Sequence, residues 1–320
     1  MEIMDKESEN EKRFFVNIMK EVCAEQNIDC VPFSYNWFFK LSKNGRHAFA
    51  FGRNFGLNNS TSAKVCSDKC ATSDVLLSAG IPAVEHYFYM TPTDQKYVGE
   101  DGNWSKLTAF LKKHGKIVCK TNEGSGGRDV YAVENQFELE QAVHRIFQRS
   151  RSMAICPFYK IKKEYRAVVL DGEVKLLYGK NIPYIVGDGE STLRALLLRY
   201  MEENNCFIDS SIAKVDELSL VLPKGEKFDL GWKSNLKQGA TPEIVSDGDL
   251  KTELTKLAID TVNALGVRFV SVDMVETDDG LRVLEVNSGV AMQAFIQSKE
   301  ENYNIAKQIY GEAINLMLEG

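Results

Sequence analysis

The chain has 320 residues, 44% of them hydrophobic and 26% charged, with a formal net charge of −6. That balance suits a globular protein of about two domains at roughly 150 residues each, and it excludes collagen, coiled coil and long disordered tracts. No run approaches the ~18 uninterrupted apolar residues of a membrane helix, and the acidic total argues against a nucleic-acid backbone as the main partner.

Residues 1–12 are charged and lack the basic-then-apolar order of an export signal. Seven cysteines, at 23, 30, 66, 70, 119, 156 and 206, are odd in number and scattered. Together these features predict reduced thiols in a cytoplasm. Cys66 and Cys70 lie four apart, but the four histidines (47, 86, 114 and 144) do not cluster beside them, so buried cysteines are expected rather than a zinc site.

In chain order, Phe14, Phe15, Ile18, Met19 and Val22 fall at helical spacing. An aromatic-rich stretch over 31–51 follows, with Asn44-Gly45 marking a hairpin between Trp37-Phe38-Phe39 and residues 47–51. The aromatics at 35–39 are expected in the core, a peptide-docking surface being the alternative. Residues 58–62 read as a polar loop, and a helix from about 63 or 68 to 79 stops at Gly80 and Pro82. A helix over 104–114 ends at Gly115; strands over 116–120 and 130–133 flank a glycine-rich loop, and Asn135 with Glu138 caps the next helix. A strand over 153–159 precedes a hairpin across Asp171-Gly172. Helices are expected over 191–203, 249–265 and 302–318, and a second hairpin turns at Asp278-Asp279-Gly280. The pattern is α+β with hairpins, which disfavours a simple doubly wound sheet.

Three groups of residues carry chemistry. Glu285 and Asn287, two apart on a strand, share a face, and the tight turn brings Asp273 alongside them. Two carboxylates and a carboxamide suit Mg²⁺, with the solvent face of an exposed hairpin as the alternative reading. The run Glu123, Gly124, Ser125, Gly126, Gly127 and Arg128 could turn backbone N–H groups toward an anion, a plain hairpin turn being the favoured alternative, and neither a Walker A loop nor a dinucleotide fingerprint is present. Lys120 ends the apolar strand before that loop and can reach a phosphate, a strand-end lysine stretched along apolar surface being the alternative; Lys69 opens the helix that begins Asp68-Lys69 and by itself is one surface lysine among many.

In this order the motifs resemble the ATP-grasp superfamily of carboxylate–amine ligases, and within it the ATP-grasp modules of cyanophycin synthetase and bifunctional glutathione synthetase. The most specific piece is residues 181–196, where Pro183, Val186-Gly187-Asp188-Gly189 and Ser191-Thr192 look like the matching stretch of those two families. The resemblance runs from about residue 59 to 320 and implies an ATP-grasp fold: a short N-terminal lobe over 1–103, a small lid over 104–160 and a larger C-terminal subdomain over 161–320, with ATP between the last two.

The resemblance also implies roles. Lys69 and Lys120 would hold ATP phosphates, with Glu123, Gly124, Ser125, Gly126, Gly127 and Arg128 as the covering loop. Phe158 and Tyr159 would meet adenine through the backbone, Pro157 standing where a Glu is usual and removing a donor. Glu164 would take the ribose hydroxyls. Arg166, Lys233 and Asn235 would face the transferred phosphate, and Asp273, Glu285 and Asn287 would hold two Mg²⁺ ions, Mn²⁺ being an acceptable substitute. Asn181 and Lys233 depart from the usual arginines, and lysine lacks the bidentate fork.

The implied activity is an ADP-forming ligase that activates a carboxylate of an amino acid or peptide as an acyl phosphate and joins it to an amine or hydroxyl. The alternatives are a small-molecule kinase on the same scaffold and a peptide-modifying enzyme that forms ester or amide cross-links. A regulatory nucleotide-binding module is disfavoured by the intact Asp273, Glu285 and Asn287 set. A cytoplasmic protein with no membrane or nucleic-acid partner is expected, and a homodimer is compatible with these features.

Overall fold

The computed structural model describes residues 14–99, 104–124, 127, 129–204, 208, 216–230 and 240–319. Helix α1 (Phe14–Glu25) buries Val16, Ile18, Met19, Val22 and Cys23 along one stripe. Three antiparallel strands follow: β1 (Asp29–Phe33), β2 (Phe38–Lys43) and β3 (Arg46–Phe51). Asn44 and Gly45 both have positive φ, 52° and 79°, as a two-residue hairpin turn requires. β1 carries Pro32 and is an edge strand of this sheet, where a missing ladder donor is tolerated.

The expectation that the aromatics at 35–39 fill the core holds for Phe39 and fails for Tyr35 and Trp37. Phe39 is 0% exposed, whereas Tyr35 is 94% and Trp37 56% exposed. Ser34, Tyr35 and Asn36 turn left-handed in succession (φ 47°, 56° and 62°), and the loop carries Tyr35 away from the sheet. Register sets Phe33, Phe38 and Phe51 side by side on the outer face, stacked at 4.9 and 5.8 Å.

In place of one helix there are two, α2 (Ser60–Ser67) and α3 (Lys69–Ser78), broken at Asp68 (φ −99°, ψ 114°). Asp68 ends the first helix and caps the second, its carboxylate accepting from Ala71 N–H at 2.8 Å. The expected loop at 58–62 is a helix start instead, because the Asn59 side chain accepts from Ser62 N–H.

A second sheet follows from β4 (Tyr87–Met90), helix α4 (Trp104–His114), β5 (Ile117–Thr121), β6 (Val130–Val133), α5 (Gln136–Phe147) and β7 (Ser152–Pro157). Its order is β4-β7-β5-β6, antiparallel throughout, and its own core joins Leu107, Leu111, Leu139 and Ile146 of the helices to Tyr89, Ile117, Cys119 and Ile155. β4 precedes residue 104, so this sheet draws on chain that the sequence assigns to the N-terminal lobe.

The rest of the chain forms the base. Strands β8 (Lys163–Leu170) and β9 (Glu173–Asn181) make the hairpin at Asp171-Gly172; β10 (Tyr184–Val186), helix α6 (Leu193–Asn204) and β11 (Lys227–Asp229) form a side unit. Then come β12 (Thr241–Ile244), α7 (Asp249–Leu265), β13 (Phe269–Thr277), β14 (Gly280–Asn287), α8 (Gln293–Ser298) and α9 (Glu301–Glu319). The main sheet runs β12-β9-β8-β13-β14.

Side-chain alternation splits β8 and β13 between two cores. Ala167, Val169, Val270 and Val272 pack on α2, α3 and α7. Val168, Leu170 and Phe269 pack on α1, α8, α9 and the N-terminal meander. The N-terminal elements therefore share the core of the base. The six cysteines among the described residues are free thiols, and no helix among these residues is long and apolar enough to cross a membrane.

Candidate active site

The start of α3 and the end of β5 are tied together by side chains the sequence placed in separate motifs. Asp68 and Glu123 form an isolated antiparallel bridge, and Lys69 N–H donates to the Asn122 carbonyl at 3.3 Å. Asn122 is fully buried: its Nδ2 donates to Asp68 at 2.6 Å and its Oδ1 accepts from Cys70 N–H at 3.2 Å. This clasp brings Lys69 and Lys120, 8% and 6% exposed, into one region where the base meets the β4-β7-β5-β6 sheet.

Lys69 Nζ donates to the Gly124 carbonyl at 2.8 Å and lies 4.0 Å from Glu285 Oε2. Burial draws the Lys69 amine below its ordinary pKa, and the Glu285 charge opposes that shift. Gly124 (φ 159°) has no room for a side chain, because a Cβ there would meet Thr121 Oγ1 at 2.6 Å. Gly127 takes φ 70°. Ser125, Gly126 and Arg128 of the loop, with Lys233 and Asn235, lie outside the described residues.

The second group is a buried charge cluster on the base sheet. Asp273 is opposite Arg166 on β8 and Glu285 on β14. Arg166 meets Asp273 through both fork nitrogens, at 2.7 and 2.5 Å. Lys180 Nζ donates to Asp273 at 3.0 Å and also to Glu164. Two carboxylates thus balance two cations in a dry region. Burial pushes the Asp273 carboxyl up, but Arg166 and Lys180 outweigh it and hold it well below the usual range. Burial raises Glu164, with Lys180 opposing.

Lys180 was not among the residues the sequence reading selected. Counting across the Asp171-Gly172 turn from Leu170–Glu173 pairs Glu164 with Gly179; an irregularity between Val168 and Val169 shifts the register and puts Lys180 there.

Glu285 is partly exposed, and its Oε1 accepts from Asn287 Nδ2 at 3.3 Å. A further irregularity between Asp273 and Met274 sets Asp273 directly opposite Glu285. Among the described residues no three His, Cys, Asp or Glu side chains are grouped to hold a metal. The set here is two carboxylates and a carboxamide, the hard oxygen donors Mg²⁺ favours; Glu285 and Asn287 share a single long hydrogen bond and fit that ion, whereas both Asp273 oxygens are engaged by Arg166 and Lys180 and would have to be shared with it.

Between the β4-β7-β5-β6 sheet and the base, Val84, Val118, Cys156 and Val275 form an apolar cluster with Phe158, Tyr159, Ile161 and Leu284 packed on it. Lys116 Nζ sits 4.2 Å over the Phe158 ring, and Phe158 N–H donates to the Lys116 carbonyl at 3.1 Å, so that donor is already engaged.

The model of the RimK-like ATP-grasp domain matches residues 224–313, which include Asp273, Glu285 and Asn287. A bifunctional glutathione synthetase from Pasteurella multocida superposes with TM-score 0.56 and 16% identity, covering 92% of this chain and 44% of the other. The chain has an ATP-grasp fold.

Among curated proteins, the chain is 39% identical over 83 residues to tetrahydromethanopterin:alpha-L-glutamate ligase of Methanocaldococcus jannaschii, covering 26% of this chain and 27% of that one. It is 23% identical over 283 residues to cyanophycin synthetase of Trichormus variabilis, covering 79% of this chain and 29% of that one. The chain thus spans less than a third of the length of either relative.

Proposed function

We propose that this protein is an ATP-dependent, ADP-forming ligase that converts a carboxylate of an amino acid or peptide to an acyl phosphate and passes it to an amine or hydroxyl. The observation that carries this reading is the meeting of Lys69, Lys120 and Glu285 between the base and the lid: two buried ammonium groups beside a partly exposed carboxylate. Such a set suits a polyphosphate accompanied by a metal. The apolar cluster around Val84, Val118 and Val275 would receive the base, and Glu164 at its edge would face the ribose.

Asp273, Glu285 and Asn287 would hold one or two Mg²⁺ ions, which when bound neutralise phosphate charge. Lys69 and Lys120 would hold the phosphates, and the glycine-rich loop would exclude water from the labile acyl phosphate. Arg166 spends two of its five N–H donors on Asp273 and also meets Tyr178; a donor left over would face the transferred phosphoryl group. Lys180 keeps Asp273 charged and aimed. Lys233, Asn235, Ser125, Gly126 and Arg128 are proposed to complete the site.

The test is incubation with ATP, Mg²⁺, hydroxylamine and a panel of amino acids and acidic peptides. Carboxylate-dependent ADP release with a hydroxamate product is the expected result. A stable phosphorylated product without hydroxamate would assign phosphotransfer in its place.

A further inference from the structure

His86 lies where the chain crosses from base to lid. On one side Ala83 bridges Val283 of β14 and Val84 N–H donates to the Val283 carbonyl at 2.8 Å; on the other, Tyr87 opens β4. The Ser73 hydroxyl of α3 fastens the backbone between them, donating to the Val84 carbonyl and accepting from His86 N–H, each at 3.1 Å. A residue four positions along the Lys69 helix therefore holds the start of the lid.

The imidazole is 4% exposed, and among the described residues neither Nδ1 nor Nε2 has a hydrogen-bond partner. The Val84 carbonyl is near enough to act on the ring but lies outside hydrogen-bond geometry. Burial, then the charges of Lys120 and Lys69, hold the ring well below its ordinary pKa, so it is neutral. A neutral imidazole always carries one N–H to donate. Leaving that donor idle in a dry region is costly, and an apolar ring of similar size would avoid the cost. The idle donor and the two ammonium groups share one region and nearly equal burial. An anion drawn by the lysines would satisfy it.

We propose that His86 is a third binding group at the lysine pair, donating a ring N–H to a phosphate oxygen of the nucleotide and tying occupancy of the site to the first residues of the lid. The proposal rests on the nucleotide reading above. In full-length protein, His86→Phe should weaken ADP binding about tenfold by calorimetry, the scale of one hydrogen bond to a charged group. Its melting temperature without nucleotide should equal or exceed that of the wild type, and His86→Gln, which keeps an N–H donor, should recover most of the affinity.

Unchanged ADP affinity in His86→Phe would overturn the role of His86 alone, whereas absence of ADP binding by the wild type would overturn the nucleotide reading itself. A lowered melting temperature with equal affinity loss in both variants would mark a packing role and also overturn it. Should His86→Phe fail to fold, imidazole ¹⁵N spectra of the wild type decide: the His86 nitrogens shift on ADP addition if the proposal holds and stay fixed if it does not.

Discussion

Asp273 and Arg166 stand opposite each other on β13 and β8 and meet through two hydrogen bonds, with Lys180 on the same carboxylate. A side chain that the motif pattern marks as a metal ligand is therefore also the anionic centre of a buried ion cluster.

Removing that anion should destabilise the base. Asp273→Asn leaves Arg166 and Lys180 facing a single carboxylate, Glu164, in a dry sheet. Breaking a buried pair by deleting one partner costs about 3–5 kcal/mol. Denaturant titration should show a loss of that order, and Lys180→Met in the same chain should restore a large part of it by rebalancing the cluster. A loss below about 1 kcal/mol would show that the cluster is not the electrostatic centre described.

Glu285 offers the opposite separation of stability and activity. It is partly exposed, accepts from Asn287 at 3.3 Å and only approaches Lys69. Glu285→Ala should leave the denaturation midpoint nearly unchanged while lowering ATP turnover by about 10²-fold or more, the scale seen when one charge-stabilising group is lost. Release of ADP at the wild-type rate would remove Glu285 from the metal site.

The nearness of Asp273, Glu285 and Asn287 was legible for a different reason than the cluster around them. Alternation alone puts Glu285 and Asn287 on one face, and the Asp278-Asp279-Gly280 turn brings Asp273 near. Lys180 was not legible, because the shift between Val168 and Val169 that delivers it opposite Glu164 is a backbone irregularity with no residue signature. The helix break at Asp68 was hidden too. The residue serves as the end of one helix and the cap of the next, and the buried Asn122 that holds it belongs to another motif. β4, Tyr-Phe-Tyr-Met, has no polar alternation to distinguish a short strand from a loop.

The acid side of the stability curve should reveal the tie between α1 and α9. Lys307 donates to Glu21 at 2.8 Å and Glu25 at 2.6 Å, and Tyr303 donates to Glu21 at 2.7 Å. The Lys307 hydrogen bond, then that of Tyr303, holds the Glu21 carboxyl below its ordinary 4.5. A lowered carboxyl adds stability above its unfolded value and loses it as pH falls through the folded one. Glu21→Gln should therefore cost at most about 1 kcal/mol at pH 7, as exposed pairs do, and the difference should close as pH drops below 4.5. A gap that widened in acid would contradict the assignment.

The aromatic loop of the N-terminal meander separates exposure from strain. Phe39 is fully buried beside Leu41 and Ala50, and Phe39→Ala should cost about 3–5 kcal/mol through transfer and cavity effects. Tyr35 is 94% exposed, and its removal forfeits almost no burial. Its φ of 56° is one that Asn adopts more readily than an aromatic residue. Tyr35→Asn should therefore match or exceed the wild-type melting temperature. A clear drop would mean that the ring has a partner in solution which covers it, and crosslinking from position 35 would then identify the contact.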